Sequence, residues 1–277
     1  MKWIEHVKRM GVKQILKSKT ALTLRDEQQA ASKKSLQADW KHLIASQLSN
    51  CKELDTHSLI ALAVAMAQEI QNSLFLGSVA RAPHEAGHAG AYINTFDDVL
   101  FNRDVPVDIE DHEGQTFNDL LKKSIVHGAF KIPISRHGVS VRLWNIKRLL
   151  ETNLPSYGVK EPWKEQADHR IQILWPIPVI WVISGNHSFT AGILNKSGHV
   201  DVGGENTVLQ DISPLYEKVY CDGAGMRRLG DNTPLERLQR NPLHWDVRWG
   251  LLFELGRIIA ARRGWIPSMD EWCKEGL

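Results

Sequence analysis

The stretch that decides the fold runs from Trp175 to Leu194 and reads WPIPVIWVISGNHSFTAGIL. Residues 179–183 are all β-branched or aromatic, which is typical of a short buried strand. Beyond the turn, apolar residues recur one helical turn apart, and they are expected to face a common core: Phe189, Ile193 and Leu194. The pattern therefore predicts a strand, a tight turn and a helix.

The turn itself is polar, since residues 185–188 read Gly-Asn-His-Ser. Gly185 allows the backbone to reverse sharply. At such a junction the first N–H groups of the helix point outward and the helix dipole adds positive charge, so an anion such as phosphate is stabilised there. The alternative interpretation is an ordinary strand-to-helix turn in which Ser188 caps the helix.

This arrangement resembles the ParB/sulfiredoxin fold, in which an apolar strand runs into a Gly-x-x-Arg or Gly-x-His-Arg turn that contacts a nucleotide phosphate. Gly185 and His187 stand where that motif has its glycine and histidine, and Ser188 takes the place of the arginine. The resemblance extends over residues 130–222 and implies an opening strand at 131–135 and a helix at 144–150. It implies phosphate binding with, at most, a degenerate catalytic capacity.

A cation for the phosphate is expected from elsewhere, because Ser188 carries none. Arg227 and Arg228 lie among glycines, and a guanidinium from a separate loop can hold phosphate through two hydrogen bonds. The alternative is a pair of exposed arginines in a turn. The candidate catalytic residues are His187 and Ser188, and the candidate phosphate-binding residues are Gly185, Asn186, Arg227 and Arg228.

A second motif, residues 84–88, reads His-Glu-Ala-Gly-His and matches the zinc-peptidase pattern His-Glu-x-x-His. On a helix, His84 and His88 would share one face for zinc, and Glu85 would activate a water molecule. However, Pro83 is tolerated only in the first turn of a helix, so the motif would lie at a fraying end. We therefore predict that it forms no catalytic zinc site, and a zinc-dependent hydrolase or peptidase remains the alternative function.

Composition indicates a soluble globular protein of one or two domains. The chain has 277 residues, 43% of them hydrophobic, and no apolar run near the ~18 residues that cross a bilayer, so no membrane partner is expected. Cys51, Cys221 and Cys273 are widely spaced, which favours reduced thiols in the cytoplasm. The cofactor stays open: a nucleotide suits the first function, and zinc suits only the alternative.

Charge is concentrated at the start of the chain. Residues 1–42 contain ten Lys or Arg against four Asp or Glu, a net charge of +6, so the other 235 residues sum to −4 in a chain of net charge +2. Residues 1–25 form a basic arm that would meet a nucleic acid or an acidic protein partner. The alternative is a solvated face of a helix packed against the protein.

The chain is predicted to be an α+β protein with a small mixed sheet. Its regions are a helical N-terminal part over 1–128, a ParB/sulfiredoxin-like core over 129–222 and a helical C-terminal part over 223–277. Three functions compete: binding of a nucleotide or nucleic-acid phosphate, zinc-dependent hydrolysis, and a non-enzymatic protein-interaction module.

Helices are expected in three further places. The first group covers residues 27–76, where Thr56 is the predicted N-cap of the second helix and Gly77 its end. Another helix is predicted over 116–127, and an amphipathic helix over 244–263.

Overall fold

A computed structural model describes most of the chain between Ser46 and Arg263. The described residues are 46, 48–81, 100, 106–107, 114–125, 130–135, 137–141, 148–153, 156, 162–177, 179–202, 206–223, 225–235 and 247–263. They contain helices and small mixed sheets, which confirms the predicted α+β class.

The described strands and helices follow one another in mixed order along the chain. The strands are β1 (Lys122–Ile125), β2 (Phe130–Pro133), β3 (Gly138–Ser140), β4 (Arg170–Trp175), β5 (Val179–Ser184), β6 (His199–Val202), β7 (Thr207–Asp211), β8 (Val219–Cys221) and β9 (Met226–Arg228). The α-helices are α1 (Thr56–Arg81), α2 (Phe117–Leu120), α3 (Asn186–Leu194) and α4 (Val247–Arg263). A π-helical turn covers Leu149–Asn153 and a 3-10 turn covers Ser213–Glu217.

Five strands form a central mixed sheet in the order β1-β7-β4-β5-β3. Strand β4 runs antiparallel to β5 and parallel to β7, while β3 is parallel to β5 and β1 is antiparallel to β7. Two smaller antiparallel pairs, β2–β6 and β8–β9, lie outside it. A strand, β2, lies in the range predicted at 131–135 but ends at Pro133, and its partner is β6.

The sheet is covered on both sides over residues 179–182, which explains the apolar run of β5 there, whereas Ile183 is exposed. Val179 and Trp181 enter one core, where they meet α1 and α4, and Ile180 and Val182 enter the other, where they meet α3 and β2. A strand buried on both faces reads as a continuous hydrophobic stretch. We call the first face the helix side and the second face the turn side.

The predicted bounds of α1 need correction at both ends. The N-cap is Asp55 and the predicted cap Thr56 is already helical: Asp55 Oδ1 accepts a hydrogen bond from the Ser58 amide at 2.7 Å, and its Oδ2 accepts one from Ser58 Oγ at 3.0 Å. A carboxylate satisfies the orphan donors of a first turn well. The helix continues through Gly77 to Arg81, so the predicted end at Gly77 is wrong.

The helix predicted over 116–127 is wrong beyond its first turn. Thr116 does cap it, and its backbone N–H and hydroxyl donate to Asp119 Oδ2 at 2.8 and 2.7 Å. Helix α2 ends at Leu120, Leu121 is extended, and Lys122 begins β1. Pairing of β1 with β7 outweighs the local helical pattern, since the ladder supplies backbone partners across four residues.

Two of the predicted region boundaries fall inside hydrogen-bonded units. Strand β1 precedes the boundary at 128 but pairs with β7, and the β8–β9 pair spans the boundary at 222. Of the helix predicted at 144–150 the structure describes only the end, where Arg148 is helical and the π-helical turn follows.

The amphipathic C-terminal helix is confirmed as α4. Trp249, Leu252, Phe253 and Ile259 of this helix are buried against the helix side. Among the described helices, none combines the length and the apolar character needed to cross a lipid bilayer.

Candidate functional site

The predicted strand, turn and helix are confirmed at the carboxyl end of β5. Ser184 ends β5 and Asn186 begins α3, and between them Gly185 has φ +89° and ψ 17° in the left-handed region. Phe189 donates the first intrahelical hydrogen bond, to the Gly185 carbonyl at 3.0 Å. The amides of residues 186–188 therefore lie at the positive end of the α3 dipole. We call residues 185–188 the Gly185 turn.

The apolar residues of α3 do not all face the core as expected. Phe189 is fully buried and Ile193 is half-buried against the turn side. Leu194, at the last position of α3, is exposed, so its predicted inward orientation is wrong.

The two candidate catalytic side chains point inward. His187 and Ser188 are 6% and 7% exposed. Ser188 Oγ accepts a hydrogen bond from Trp163 Nε1 at 2.7 Å, and the N-cap position is taken by Gly185, so Ser188 does not cap the helix. The hydroxyl ties α3 to the segment before β4, and neither side chain is presented as an accessible nucleophile or base.

An aromatic cluster of Trp163, His169 and Phe189 packs against the interior side of the turn. The Trp163 and His169 rings stack with centroids 5.3 Å apart and planes 7° apart, and Phe189 lies 4.4 Å from Trp163 and 5.2 Å from His169. Trp163 is fully buried. The cluster fixes where the backbone of the turn runs.

Gly185 touches this cluster so closely that no other residue fits. A Cβ at this position would lie 2.2 Å from His169 Cδ2 and 2.9 Å from His169 Nε2. Because His169 is itself held by Trp163, the ring cannot move aside. Gly185 is thus required both for its positive φ and for the close approach of the ring.

His169 is held in one neutral tautomer by the turn before β4. Its Nδ1 accepts a hydrogen bond from the Gln166 amide at 2.9 Å, while the His169 amide donates to the Gln166 carbonyl at 3.0 Å. The ring proton therefore lies on Nε2, which is 4.0 Å from Asp168 Oδ1. Burial lowers the pKa of His169, and the Asp168 charge opposes this only in part.

A cation that the sequence did not point to lies beside the turn. Arg170 is the first residue of β4, it is exposed, and it pairs with Ser184, the last residue of β5. The register shifts between Arg170 and Ile171, and this irregularity brings Ser184 opposite the arginine. The available signal was the apolar pattern at Ile171 and Ile173 before the proline-rich turn, which predicts a hairpin with β5.

A family model described as "Family of unknown function (DUF6710)" matches residues 19–263. The chain belongs to DUF6710. Comparison with curated proteins and with solved structures finds no match. The matched range of the DUF6710 chain includes the Gly185 turn, Arg170 and the His84 motif.

The other predicted cations of the DUF6710 chain hold the β8–β9 hairpin together. Arg227 pairs with Asp222 and donates to the Asn232 carbonyl at 2.9 Å. Hydrogen bonding to the Asp222 carboxylate raises the pKa of Arg227. Arg228 is buried and its guanidinium donates to Asp231 Oδ2 and to the Pro106 carbonyl, each at 3.0 Å. The structure thus gives both arginines contacts within and around the hairpin.

The zinc motif and the basic arm lie outside the described residues. This applies to His84, Glu85, His88 and residues 1–25. Within the part of the chain that the structure describes, no group of three or more His, Cys, Asp or Glu residues could hold a metal ion. Cys51 and Cys221 are buried free thiols.

Proposed function

We propose that the protein binds a phosphate group of a nucleotide or a nucleic acid at the Gly185 turn. The observation that carries the proposal is the exposed Arg170 beside a strand-to-helix turn that begins α3. A helix N-terminus alone attracts an anion weakly, whereas a guanidinium next to it adds a full charge and a fork of donors. The predicted role of Arg227 and Arg228 as the cation passes to Arg170.

The turn is built to let an anion approach. Gly185 and Asn186 are half-exposed, so the backbone at the start of α3 reaches the surface. Helix α3 has nine residues, and its dipole is equivalent to about half a unit charge at the N-terminus. Phosphate oxygens accept hydrogen bonds from backbone amides and from arginine together, and each such bond to a charged group contributes about 1.5–3 kcal/mol.

The buried state of His187 and Ser188 supports binding in preference to catalysis. A nucleophile or general base must come within hydrogen-bond reach of the reacting group, about 2.6–3.2 Å. Both side chains instead face the interior behind the turn. We therefore assign the phosphate to the backbone of residues 185 and 186 and to Arg170, and expect no turnover at this turn.

The test is a binding titration with charge-matched variants. Fluorescence anisotropy would follow a labelled single-stranded oligonucleotide, and unlabelled nucleotides would compete with it. Arg170→Gln should weaken binding about tenfold, because a charged hydrogen bond is lost, and should reduce the salt slope by about 0.7. The affinity of Arg170→Lys should lie between those of the wild type and Arg170→Gln, because lysine keeps the charge but not the paired donors of the guanidinium.

The control is Lys52→Gln, which removes one positive charge at an exposed position a few residues before α1. Lys52 packs near α4, where its carbonyl accepts from Arg262, so it lies on the helix side. The affinity of Lys52→Gln for the oligonucleotide should stay within about twofold of that of the wild type. Equal losses in Arg170→Gln and Lys52→Gln would indicate general charge attraction and reject the site, as would a wild type that binds neither ligand.

Residues 1–25 supply a second expected contact, with a nucleic acid or with an acidic protein partner. If the arm meets nucleic acid, its deletion should weaken binding and flatten the salt dependence, since each lost phosphate contact removes about 0.7–0.9 released counterions. An unchanged salt slope in the truncated protein would exclude the arm from the nucleic-acid interface, and binding would then rest on the Gly185 turn.

A further inference from the structure

We infer that His169 is a positioning residue for phosphate binding: its neutral ring, accepting at Nδ1, holds the Gly185 turn in its binding shape, and a second ring proton releases it. The inference rests on the proposed function of the turn. His169 is buried and lies against Gly185, so it would act on the phosphate through the backbone of the turn.

The ring is connected to the turn on one edge and to β4 on the other. Its Cδ2 and Nε2 edge lies against Gly185, as the 2.2 and 2.9 Å approaches of an added Cβ show. Its Nδ1 accepts from the Gln166 amide, and the reverse bond from the His169 amide to the Gln166 carbonyl closes a small ring of hydrogen bonds. Arg170, the proposed phosphate ligand, follows His169 directly. A displacement of the imidazole therefore reaches both parts of the site.

A second proton on the His169 ring would replace the donor–acceptor pair with the Gln166 amide by two facing donors. With Nδ1 protonated, two N–H donors at His169 and Gln166 would face each other at 2.9 Å, and the buried hydrogen bond would be lost. Among the described residues, the rings packed against His169, Trp163 and Phe189, are uncharged, and the charged group that acts on it is the exposed Asp168. Burial penalises the imidazolium more than this solvated carboxylate stabilises it.

The expected pH dependence of the binding affinity is opposite in sign to the one that net charge alone would give. The chain has twelve histidines, and their protonation adds positive charge, which by itself strengthens anion binding as the pH falls. Loss of the positioned turn instead weakens binding. Below the His169 midpoint the neutral fraction falls about tenfold for each pH unit, and the apparent affinity is expected to fall with it by up to the same factor.

The experiment measures binding of a single-stranded oligonucleotide without terminal phosphates between about pH 8 and about pH 5. Its phosphodiesters do not titrate there, whereas a terminal phosphate has a pKa of about 6. The wild type should lose affinity at low pH. His169→Asn keeps an acceptor for the Gln166 amide but does not titrate, so its affinity should hold steady or rise. His199→Asn, at a half-exposed histidine of β6, should follow the wild type.

A ligand-free measurement separates this inference from the proposed function and needs no variant. In an NMR pH titration of the wild type, the Gly185 amide resonance should shift with the same midpoint as the His169 ring, below about 6.5. A Gly185 signal that ignores the His169 titration, in a protein that binds the oligonucleotide, rejects the inference and leaves the proposed function standing. Coupled titration without oligonucleotide binding at any pH supports the positioning role and rejects the proposed function. Wild-type affinity that rises at low pH in parallel with His169→Asn also rejects the inference.

Discussion

The two sides of the central sheet are held together in different ways. On the helix side, charged groups join elements far apart in sequence: Glu254 of α4 accepts from the Cys221 amide at 2.8 Å and pairs with Arg257 at 2.8 Å. Arg257 also donates to the carbonyls of Tyr216 and Val219. Both sides also pack aromatic rings against glycine, Tyr216 at Gly256 on the helix side and His169 at Gly185 on the turn side, where Gly185 in addition has a positive φ.

The comparison shows where an arginine is available to a ligand. Arg257, Arg227 and Arg228 lie among carboxylates and carbonyls that stabilise the fold. Arg170 is exposed at the start of β4, opposite Ser184, and the close packing of rings and glycine fixes the backbone of the adjacent turn. A rigid backbone next to an exposed cation is what a preorganised anion site requires. The helix side is thus the scaffold and the turn side carries the site.

The largest effect is expected from Gly185→Ala, which breaks the turn side. The positive φ strains the new residue by about 1 kcal/mol, and its Cβ would overlap the held His169 ring, which adds about 1–3 kcal/mol. Denaturant unfolding should show a loss of about 2–4 kcal/mol.

Two glycines serve as controls for Gly185→Ala. Gly114 has φ +73° with nothing within 4 Å of an added Cβ, so Gly114→Ala should measure strain alone, about 1 kcal/mol. Gly230 has open space and no positive φ, and its substitution should change stability by less than about 0.5 kcal/mol. Equal losses at Gly185 and Gly114 would show that the ring contact contributes nothing.

A smaller effect is expected on the helix side from Arg257→Met, which keeps the aliphatic stem. It leaves the buried Glu254 without its guanidinium partner and should destabilise the protein by about 2–3 kcal/mol in the same assay. The matched control is Arg248→Met, because Arg248 pairs with the exposed Glu69 and such pairs contribute about 0–1 kcal/mol. If both variants lose the same amount, the buried network is not what holds α4 in place.

The smallest effect concerns Cys221, a thiol buried on the helix side. Burial raises its pKa to about 12, so the thiolate that reacts with alkylating reagents is scarce near neutral pH. In a Cys273→Ser background, mass spectrometry should find Cys221 unlabelled by iodoacetamide in the folded protein and labelled after denaturation. Because the unfolded thiol ionises above about pH 9 and the folded one does not, this group makes the fold less stable as the pH rises from about 9 towards 12. Rapid labelling of the native protein would show that the helix side opens readily.

The sequence predicts the turn side where several local signals coincide. The apolar run of β5, the glycine at 185 and the helical spacing of Phe189 and Ile193 all indicate one structure, and the structure has it. Predictions that depend on a single residue are less reliable. The sequence suggests Thr56 as the N-cap of α1, whereas the carboxylate of Asp55, a stronger acceptor, caps the helix.

The parts of the site that the sequence does not predict depend on contacts between different segments of the chain. Arg170 reaches Ser184 through a shifted register that no local pattern encodes. Arg227 and Arg228 look exposed among glycines, yet Asp222 and Asp231 on either side engage them once the hairpin forms. The stack of His169 on Trp163 joins residues six positions apart in a segment without a periodic pattern, so periodicity could not reveal it.

Phosphate binding at the Gly185 turn can be observed directly in an NMR titration of the wild type with a single-stranded oligonucleotide, followed through backbone amides and the Arg170 side chain. Chemical shifts should saturate at the amides of residues 185–188 and at Arg170 Nε, with the same dissociation constant at both, while the amides of β8, β9 and α4 stay unchanged. Shifts at residues 1–25 would add the basic arm without replacing the site. Saturable binding that leaves both the Gly185 turn and Arg170 unperturbed would show that the phosphate binds elsewhere on the protein.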